Sequence, residues 1–466
     1  MSTDTPQDKK LYEQYRIPDK AKMDPEEVTR LNRAFTWWGR LIIILASILY
    51  IFLIWRFTPR MDAWHLLGGV MFAYMLIKIL FALMYRPSKA ELSKDYKVSA
   101  IITCYNEDPC SIVSVFDNVL ALDYPVHEII FLDDGSADTT AYEVAKSYAE
   151  DHENDRDAPK YQIIRFAENR GKRAVMVDGF KAAEGDYVFL LDSDSEFLPS
   201  ALTELLRPFE DGKTTSCVGH IGVLNRKKNF LTRMQALTYF NAFQLGRAVQ
   251  SVSGGNVVVC SGAFSLHQRA FIMQNLERFE TSKIFGLTVS AGDDRELTSL
   301  SKMSGGKTRY QHTAYCETLV PTKWRKFQAQ RRRWQRSAYL YSLGSIRDLF
   351  PKKWAFMCWT FAEAYLWLVA LILFTLTAIS RGGFDFHWHD AIIFTSIVLL
   401  MHKGFYLLYR PLDFLLVPIY TLVYGFSLIF TRIHALVTIT NDGWGTRALK
   451  DEDVDPEAGD REKTTS

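Results

Sequence analysis

Two textures of apolar and polar positions alternate along this chain. Positions 41–57 and 64–85 are nearly unbroken apolar runs, and 354–379, 391–409 and 412–430 repeat that texture near the other end. Runs of this length, with Trp37, Trp38, Trp55 and Trp64 at headgroup level around the first two, predict membrane helices in preference to buried core helices. From Val98 onward short apolar runs alternate instead with amphipathic stretches. Positions 98–103, 128–132, 161–165 and 187–191 read as buried strands, and 111–122, 139–149 and 172–184 as the helices between them. That series predicts an α/β domain with a mostly parallel, Rossmann-like sheet covered on both faces, joined to an α-helical transmembrane domain. Such sheets bind ligands beyond the carboxyl ends of their strands.

Charge sets the expected orientation. Lys20, Lys22, Arg30, Arg33 and Arg40 precede the first apolar run, and Arg86, Lys89, Lys94 and Lys97 follow the second, which places both flanks in the cytosol against only Arg56 and Arg60 between them. Near the other end, Lys352, Lys353, Lys403, Arg410, Arg432 and His434 place both flanks of the last segment on the same side, and Pro411 and Pro418 interrupt it. That segment is read as interfacial, re-entrant or a broken hairpin, leaving four or six crossings open. The expected divisions are a cytosolic tail (1–36), two transmembrane helices (37–86), a catalytic domain (95–322), amphipathic interfacial helices (323–352), further transmembrane or interfacial helices (353–440) and a cytosolic tail (441–466). The first tail lacks the pattern of a cleaved signal peptide and any apolar core of its own, and 451–466 within the last is acidic and expected to be disordered.

Composition changes this picture little. A mean hydropathy of -0.06 averages the two textures away, and a net charge of +2 gives no reason to expect nucleic acid as a partner. The six cysteines are scattered, with no close pair at zinc or thioredoxin spacing, so they read as reduced thiols of a cytosol-facing domain.

The chemistry-bearing residues gather where the strands end. Thr103-Cys-Tyr105-Asn-Glu107 follows the first strand, Asp133-Asp134-Gly-Ser136 the second, Asn169-Arg-Gly-Lys172 the third and Asp192-Ser-Asp194 the fourth. Any one could be a turn. Four at one sheet edge outline a nucleotide-sugar cleft, in which Asp134 would accept from a nucleobase, Lys172 would meet a diphosphate, and a hard divalent cation on Asp194 would bridge phosphates. Positions 256–265 read as a further strand ending in a small-residue turn, where Gly262 either admits close backbone approach or marks an ordinary bulge. Asp293 and Asp294 open an amphipathic helix; they serve as caps or supply a general base. Gln330, Arg333 and Trp334 share one helical face, while Arg325, Lys326, Arg331 and Arg332 are expected to face lipid headgroups. Lys78, Glu363, Trp359, Tyr365 and Trp367 fall at membrane depth, where they would serve a polar path or simply pack the bundle.

Taken as a set, Asp133-Asp134-Gly-Ser136, Asp192-Ser-Asp194, Gly292-Asp-Asp294-Arg295 and Gln330-x-x-Arg333-Trp334 resemble the motifs of the processive, membrane-integrated family 2 glycosyltransferases, which include hyaluronan, chitin and cellulose synthases. Trp444-Gly-Thr-Arg447 is similar to a C-terminal signature of the hyaluronan synthase subgroup. The resemblance implies a GT-A fold and polymerisation of UDP-sugars, UDP-GlcNAc with UDP-GlcA, into a β-linked polysaccharide that leaves through the membrane. A chitin or poly-N-acetylglucosamine synthase using UDP-GlcNAc alone is the alternative. By the same resemblance, Thr103, Tyr105, Glu107, Asp134, Lys172, Asp192, Arg333, Trp444 and Arg447 would bind the donor, and Asp192 and Asp194 would hold Mg²⁺ or Mn²⁺. Asp294 would be the base, and Gln330, Trp334, Cys260 and Gly262 would bind the acceptor. The expected setting is the plasma (inner) membrane with the catalytic domain cytosolic. The partners are the nascent polysaccharide and membrane lipid, with no nucleic acid and no obligatory protein partner.

Overall fold

The computed structural model describes residues 10–17, 26, 29–30, 41, 44–45, 47–49, 51–52, 56, 63–288, 292–349, 354–380, 403–407 and 409–440. Trp444 and Arg447 lie outside the described residues, as do part of the apolar run at 41–57, most of that at 391–409 and the tail 451–466.

A long apolar helix, α1 (Ala63–Met84), leads through an extended segment into β1 (Val98–Cys104). There follow α2 (Pro109–Leu120), β2 (Glu128–Asp133), α3 (Thr140–His152), β3 (Lys160–Arg165), α4 (Lys172–Ala182) and β4 (Tyr187–Asp192). Asp108 caps α2 by accepting from the Cys110 amide at 3.1 Å, and Pro109 occupies the first turn, where its missing N–H is not needed. All four strands are parallel, in register at Ile101 with Ile130 on one side and with Leu190 on the other. β1, β2 and β4 are buried on both faces, which is why they read as continuous apolar runs.

The second half departs from the expected parallel pattern. β5 (Glu196–Phe197), β6 (Thr214–Val223), β7 (Phe264–Gln268) and β10 (Lys307–Thr318) extend the sheet to eight strands, in the order β3-β2-β1-β4-β7-β6-β10-β5; β8 (Lys283–Ile284) and β9 (Leu287–Thr288) form a separate hairpin. β7 runs antiparallel to both β4 and β6, and β5 antiparallel to β10, so the sheet is mixed. A crossover helix enforces parallel pairing only between the strands it joins. β7 is reached instead through α5 (Phe230–Phe240), a π-helical turn (Asn241–Arg247) and α6 (Ala248–Ser253).

Residues 256–263, expected to be a strand, are buried but irregular. Their amides are spent elsewhere: Val257 N–H donates to Thr308 O, Val258 N–H to Gln250 Oε1 and Cys260 N–H to Thr298 Oγ1, leaving no ladder to join. One apolar core fills the face of the sheet carrying α2, α3 and α5; a second lies under α4 and α7 (Asp293–Met303).

Beyond the sheet come α8 (Trp324–Leu349), α9 (Trp354–Ser380) and α10 (Val417–Val437). Among the described residues, Val417–Val437 is a helix long and apolar enough to cross a membrane. Pro418 sits in its first turn and Pro411 opens a short helix, Pro411–Phe414, so each proline starts a helix where the sequence reading had it interrupt one. α8 lies along α10: Gln328 bonds Ser427 and Thr431, and Arg336 Nη2 donates to Thr438 Oγ1 at 2.8 Å. Part of the first tail also has a place in the fold. The 3₁₀ turn Leu11–Tyr15 buries Tyr12 edge-on against Tyr148 of α3, and Arg16 pairs with Asp117 at 3.0 Å.

Candidate active site

The loops after β1 and β2 are tied together before any ligand is considered. Asn106 N–H donates to Ser136 Oγ at 2.8 Å, and Asn106 Oδ1 accepts from Ala137 N–H at 3.0 Å. Asp133 is buried under Ser136 and Arg165, whose Nε lies 3.2 Å from Oδ2. Asp134, its neighbour, turns the other way and accepts from the Arg170 and Gly171 amides at 2.7 and 3.0 Å. Gly135 between them has φ +69°, and a Cβ there would lie 2.5 Å from the Glu168 carbonyl carbon, so this close approach requires glycine. Asp134 thereby positions the loop that delivers Lys172 as the first residue of α4.

Lys172 Nζ donates to Asp192 Oδ1 at 2.5 Å. Burial draws the ammonium's pKa down, yet Asp192, Asp293 and Asp294 outweigh it and leave Lys172 above its ordinary range. Asp194 accepts from Thr318 Oγ1 at 3.0 Å; burial, then Asp192, pushes its carboxyl up to about 6. Glu107 lies nearby on the loop after β1; desolvation among its neighbours, then Asp194 and Asp192, raise its carboxyl although much of the residue stays exposed. Carboxyls crowded at one strand end, with a single lysine among them, form an oxygen-rich pocket short of positive charge.

On the opposite wall Gly292, at φ +97°, turns the chain into α7. Asp293 is buried and paired with Arg173 at 2.7 Å. Asp294 faces the cavity; burial raises its pKa and Arg295 opposes the rise. The Asp294 carbonyl accepts from Thr298 Oγ1, whose oxygen in turn accepts from Cys260 N–H, so the irregular segment 256–263 is held against the start of α7. A Cβ on Gly262 would meet the Asp294 Cβ at 3.9 Å, which places that glycine directly across from the acid.

One cavity of about 600 Å³ gathers Lys172, Asp192, Asp194, Gly262, Asp294, Gln330, Arg333 and Trp334. Cys260 is fully buried and belongs to the core, with Val259 and Ser261 lining the wall on either side of it. Thr103, Tyr105, Glu107 and Asp134 are not among the residues lining it; they sit at or just past the ends of β1 and β2, Asp134 buried and Glu107 exposed. Arg331, expected to face headgroups, lines the cavity too, its guanidinium 4.8 Å from the Trp334 ring centre. The same cavity reaches Lys78 of α1, Glu363 of α9 and Arg432 of α10, where Lys78 Nζ lies 2.5 Å from Glu363 Oε1. Tyr365 instead stacks on Tyr339 as packing; the side chains of Trp359 and Trp367 lie outside the described residues.

Sequence reasoning did not single out Arg247, Arg295 or Lys302, which also line this cavity. Arg295 stood in a recognised motif; Arg247 had no local signal, because its position depends on the π-helical turn.

Residues 99–275 match the family model described as glycosyl transferase family 2. A hyaluronan synthase of Streptococcus pyogenes serotype M1 is 35% identical over 385 residues, covering 82% of this chain and 90% of the relative. An N-acetylglucosaminyltransferase of Rhizobium sp. (strain N33) is 26% identical over 353 residues, covering 75% and 77%. Among solved structures, a mannosyltransferase of Pyrobaculum calidifontis, in complex with GDP-Man and Mn²⁺, superposes with a TM-score of 0.51 at 19% identity, covering 77% of this chain and 98% of that one. That likeness shows a shared glycosyltransferase fold, of the GT-A type.

Proposed function

The chain belongs to the hyaluronan synthases of glycosyltransferase family 2, and from that premise we propose that it joins UDP-GlcNAc and UDP-GlcA alternately into a β-linked polysaccharide at the cavity described above. The observation that carries this reading is the shared cavity: the carboxylates at the end of β4, the acid opening α7 and the Gln330–Trp334 face of α8 all open onto it. The same space continues to Lys78 and Glu363 on two apolar helices, which gives a polar product a way toward the membrane.

Asp192 and Asp194 supply hard oxygen donors, and the half-buried Asp194 is held by neutral donors, the Thr318 hydroxyl on Oδ1 and the Leu319 amide. That donor set fits Mg²⁺ or Mn²⁺, with the remaining positions left for phosphate oxygens. Bound there, the cation would supply charge stabilisation for the diphosphate leaving group. The chain's own residues do the rest. Lys172 and Arg333 hold the phosphates, and Trp334 gives the terminal sugar a flat apolar face. Asp294 takes the proton from the acceptor hydroxyl as it attacks the anomeric carbon from the side opposite UDP, inverting that centre. Burial raises its pKa, and the neighbouring Arg295 opposes that rise. Trp444 and Arg447 are assigned to the donor's phosphates by the family motif.

The full chain, purified and supplied with each UDP-sugar alone and then with both, tests the reading. Long polymer formed only with both donors is expected. Long homopolymer from UDP-GlcNAc alone would overturn it in favour of the N-acetylglucosaminyltransferase reading that the rhizobial relative represents.

A further inference from the structure

The wall of the cavity near Asp294 carries more positive charge than the residues assigned so far can use. Three of the lining anions are already committed, Asp192 to Lys172, Asp293 to Arg173 and Glu363 to Lys78. Arg247 is different. Its guanidinium lies over the Phe243 ring at 5.3 Å, its Nε is buried with no hydrogen-bond partner, and among the described residues no carboxylate pairs with it within 4.0 Å, Asp294 acting on it only from further away. A half-buried arginine whose Nε is shut away from water without a partner is costly unless something neutralises it. Its surroundings aggravate the cost. Burial and then the neighbouring Arg295 lower its pKa to about 10, and Arg295, which also lines the cavity, is itself lowered by burial. Lys302, buried on the same wall, approaches the Val258 carbonyl at 3.5 Å.

The backbone is arranged to put Arg247 there. It is the last residue of the π-helical turn Asn241–Arg247, between α5 and α6. One residue is in effect inserted into the helix, which turns the following side chain toward the cavity; such turns persist at a cost and occur often at functional sites. Phe243 on the same turn supplies the ring against which the guanidinium is stacked.

We propose that Arg247, with Arg295 beside it and Lys302 on the same wall, forms a subsite for the carboxylate of a uronic acid sugar, so that Arg247 is a specificity-determining residue and not part of the diphosphate site. The planar guanidinium matches a carboxylate in a bidentate geometry, which a neutral hexose hydroxymethyl cannot reproduce. The inference rests on the reading of this cavity as a site for alternating sugars. The carboxylate comes either from the incoming UDP-GlcA or from a uronate already in the growing chain, and both present the same chemistry to the same wall.

The test uses the full purified chain and the variants Arg247→Gln and Arg247→Lys, with thermal melting as a check on folding. UDP release is measured against UDP-GlcA at saturating UDP-GlcNAc, against UDP-GlcNAc at saturating UDP-GlcA, and with UDP-glucose, the neutral analogue, in place of UDP-GlcA. If the donor's carboxylate is bound, R247Q raises the KM for UDP-GlcA at least ten-fold, narrows the preference for UDP-GlcA over UDP-glucose by a similar factor and leaves release from UDP-GlcNAc alone within two-fold; R247K restores part of the loss. If the chain's uronate is bound, both KM values hold, while product length drops several-fold in R247Q and recovers in R247K. Unchanged KM, discrimination and length in a folded R247Q enzyme would overturn the proposal, as would an equal loss with every donor. A wild-type enzyme indifferent to UDP-GlcA would instead refute the reading of function on which the proposal stands.

Discussion

Gly292→Ala is the sharpest perturbation of the site that leaves every chemical group in place. At φ +97° the residue lies where an L side chain is strained, which costs roughly 1–2 kcal/mol. The added Cβ would also stand 2.1 Å from Ser337 Oγ, 3.1 Å from Ser337 Cβ and 3.2 Å from Tyr341 Cε2. Rotation of the Ser337 hydroxyl relieves the first contact; the other two belong to atoms fixed on α8. Overpacking of this kind costs about 1–3 kcal/mol and is relieved by movement of backbone. The elements that must separate are α7, which carries Asp294, and α8, which carries Gln330, Arg333 and Trp334. A misplacement of about 1 Å between base and acceptor platform is worth up to roughly 100-fold in turnover. G292A is therefore expected to lower kcat by ten- to a hundred-fold with a small change in donor KM, and to melt earlier. G292A/S337A, which removes the hydroxyl, should recover part of the stability and turnover but not the strain at φ. A folded G292A enzyme turning over within two-fold of wild type would refute the claim that the α7–α8 spacing sets the geometry of the site.

Three further outcomes are expected. Asp294→Asn keeps the shape of the acid but cannot take a proton, so polymer synthesis should fall by about 10²–10⁴-fold; donor binding, followed by displacement of a labelled UDP-sugar, should survive, and equal loss of both would contradict the assignment. Chelation of divalent ions should abolish UDP release, and Asp194→Asn should raise the Mn²⁺ needed for half-maximal activity by an order of magnitude; activity indifferent to chelator would exclude the proposed donor set. His220 and His267 are buried neutral, with burial lowering both pKa values to about 3 from an ordinary 6.5. Below pH 6.5 the unfolded chain binds the extra protons, so stability rises with pH, is fully present above that value and at pH 5 is reduced by roughly 2 kcal/mol for each histidine. His267 bonds Ser216 and Ser265, and His267→Gln should flatten the acid limb of a melting-temperature profile measured from pH 5 to 7.5.

What the chain discloses by itself is local. β1, β2 and β4 are legible because a strand buried on both faces leaves a short continuous apolar run, and their ends are legible because Asp192 and Asp194 break that run with charge. Pairing direction is not local: nothing in Phe264–Gln268 tells that it runs antiparallel between two other strands. Nor does the apolar texture of 256–260 reveal that its amides go to Gln250 on the preceding helix and to Thr298 and Thr308 on elements far along the chain. Tyr12 was hidden for the same reason, since its burial depends on a ring 136 positions along, Tyr148.

The same division separates the parts of the site. Asp133 and Asp134 are adjacent and chemically identical, yet one is locked beneath Ser136 and Arg165 while the other grips the backbone that presents Lys172. Strand alternation sends successive side chains to opposite faces, but which face holds the salt bridge is decided by Arg165, one strand over. Motif spacing can therefore nominate a pair and not apportion its roles. Arg247 is the limiting case: its register is set by a π-helical turn, and the residues that give it meaning, Arg295 and Asp294, arrive from the far side of the sheet's second core. A role that exists only where separate elements converge leaves no periodicity to read, and charge without a partner becomes visible as a functional signal only after the fold has removed the water around it.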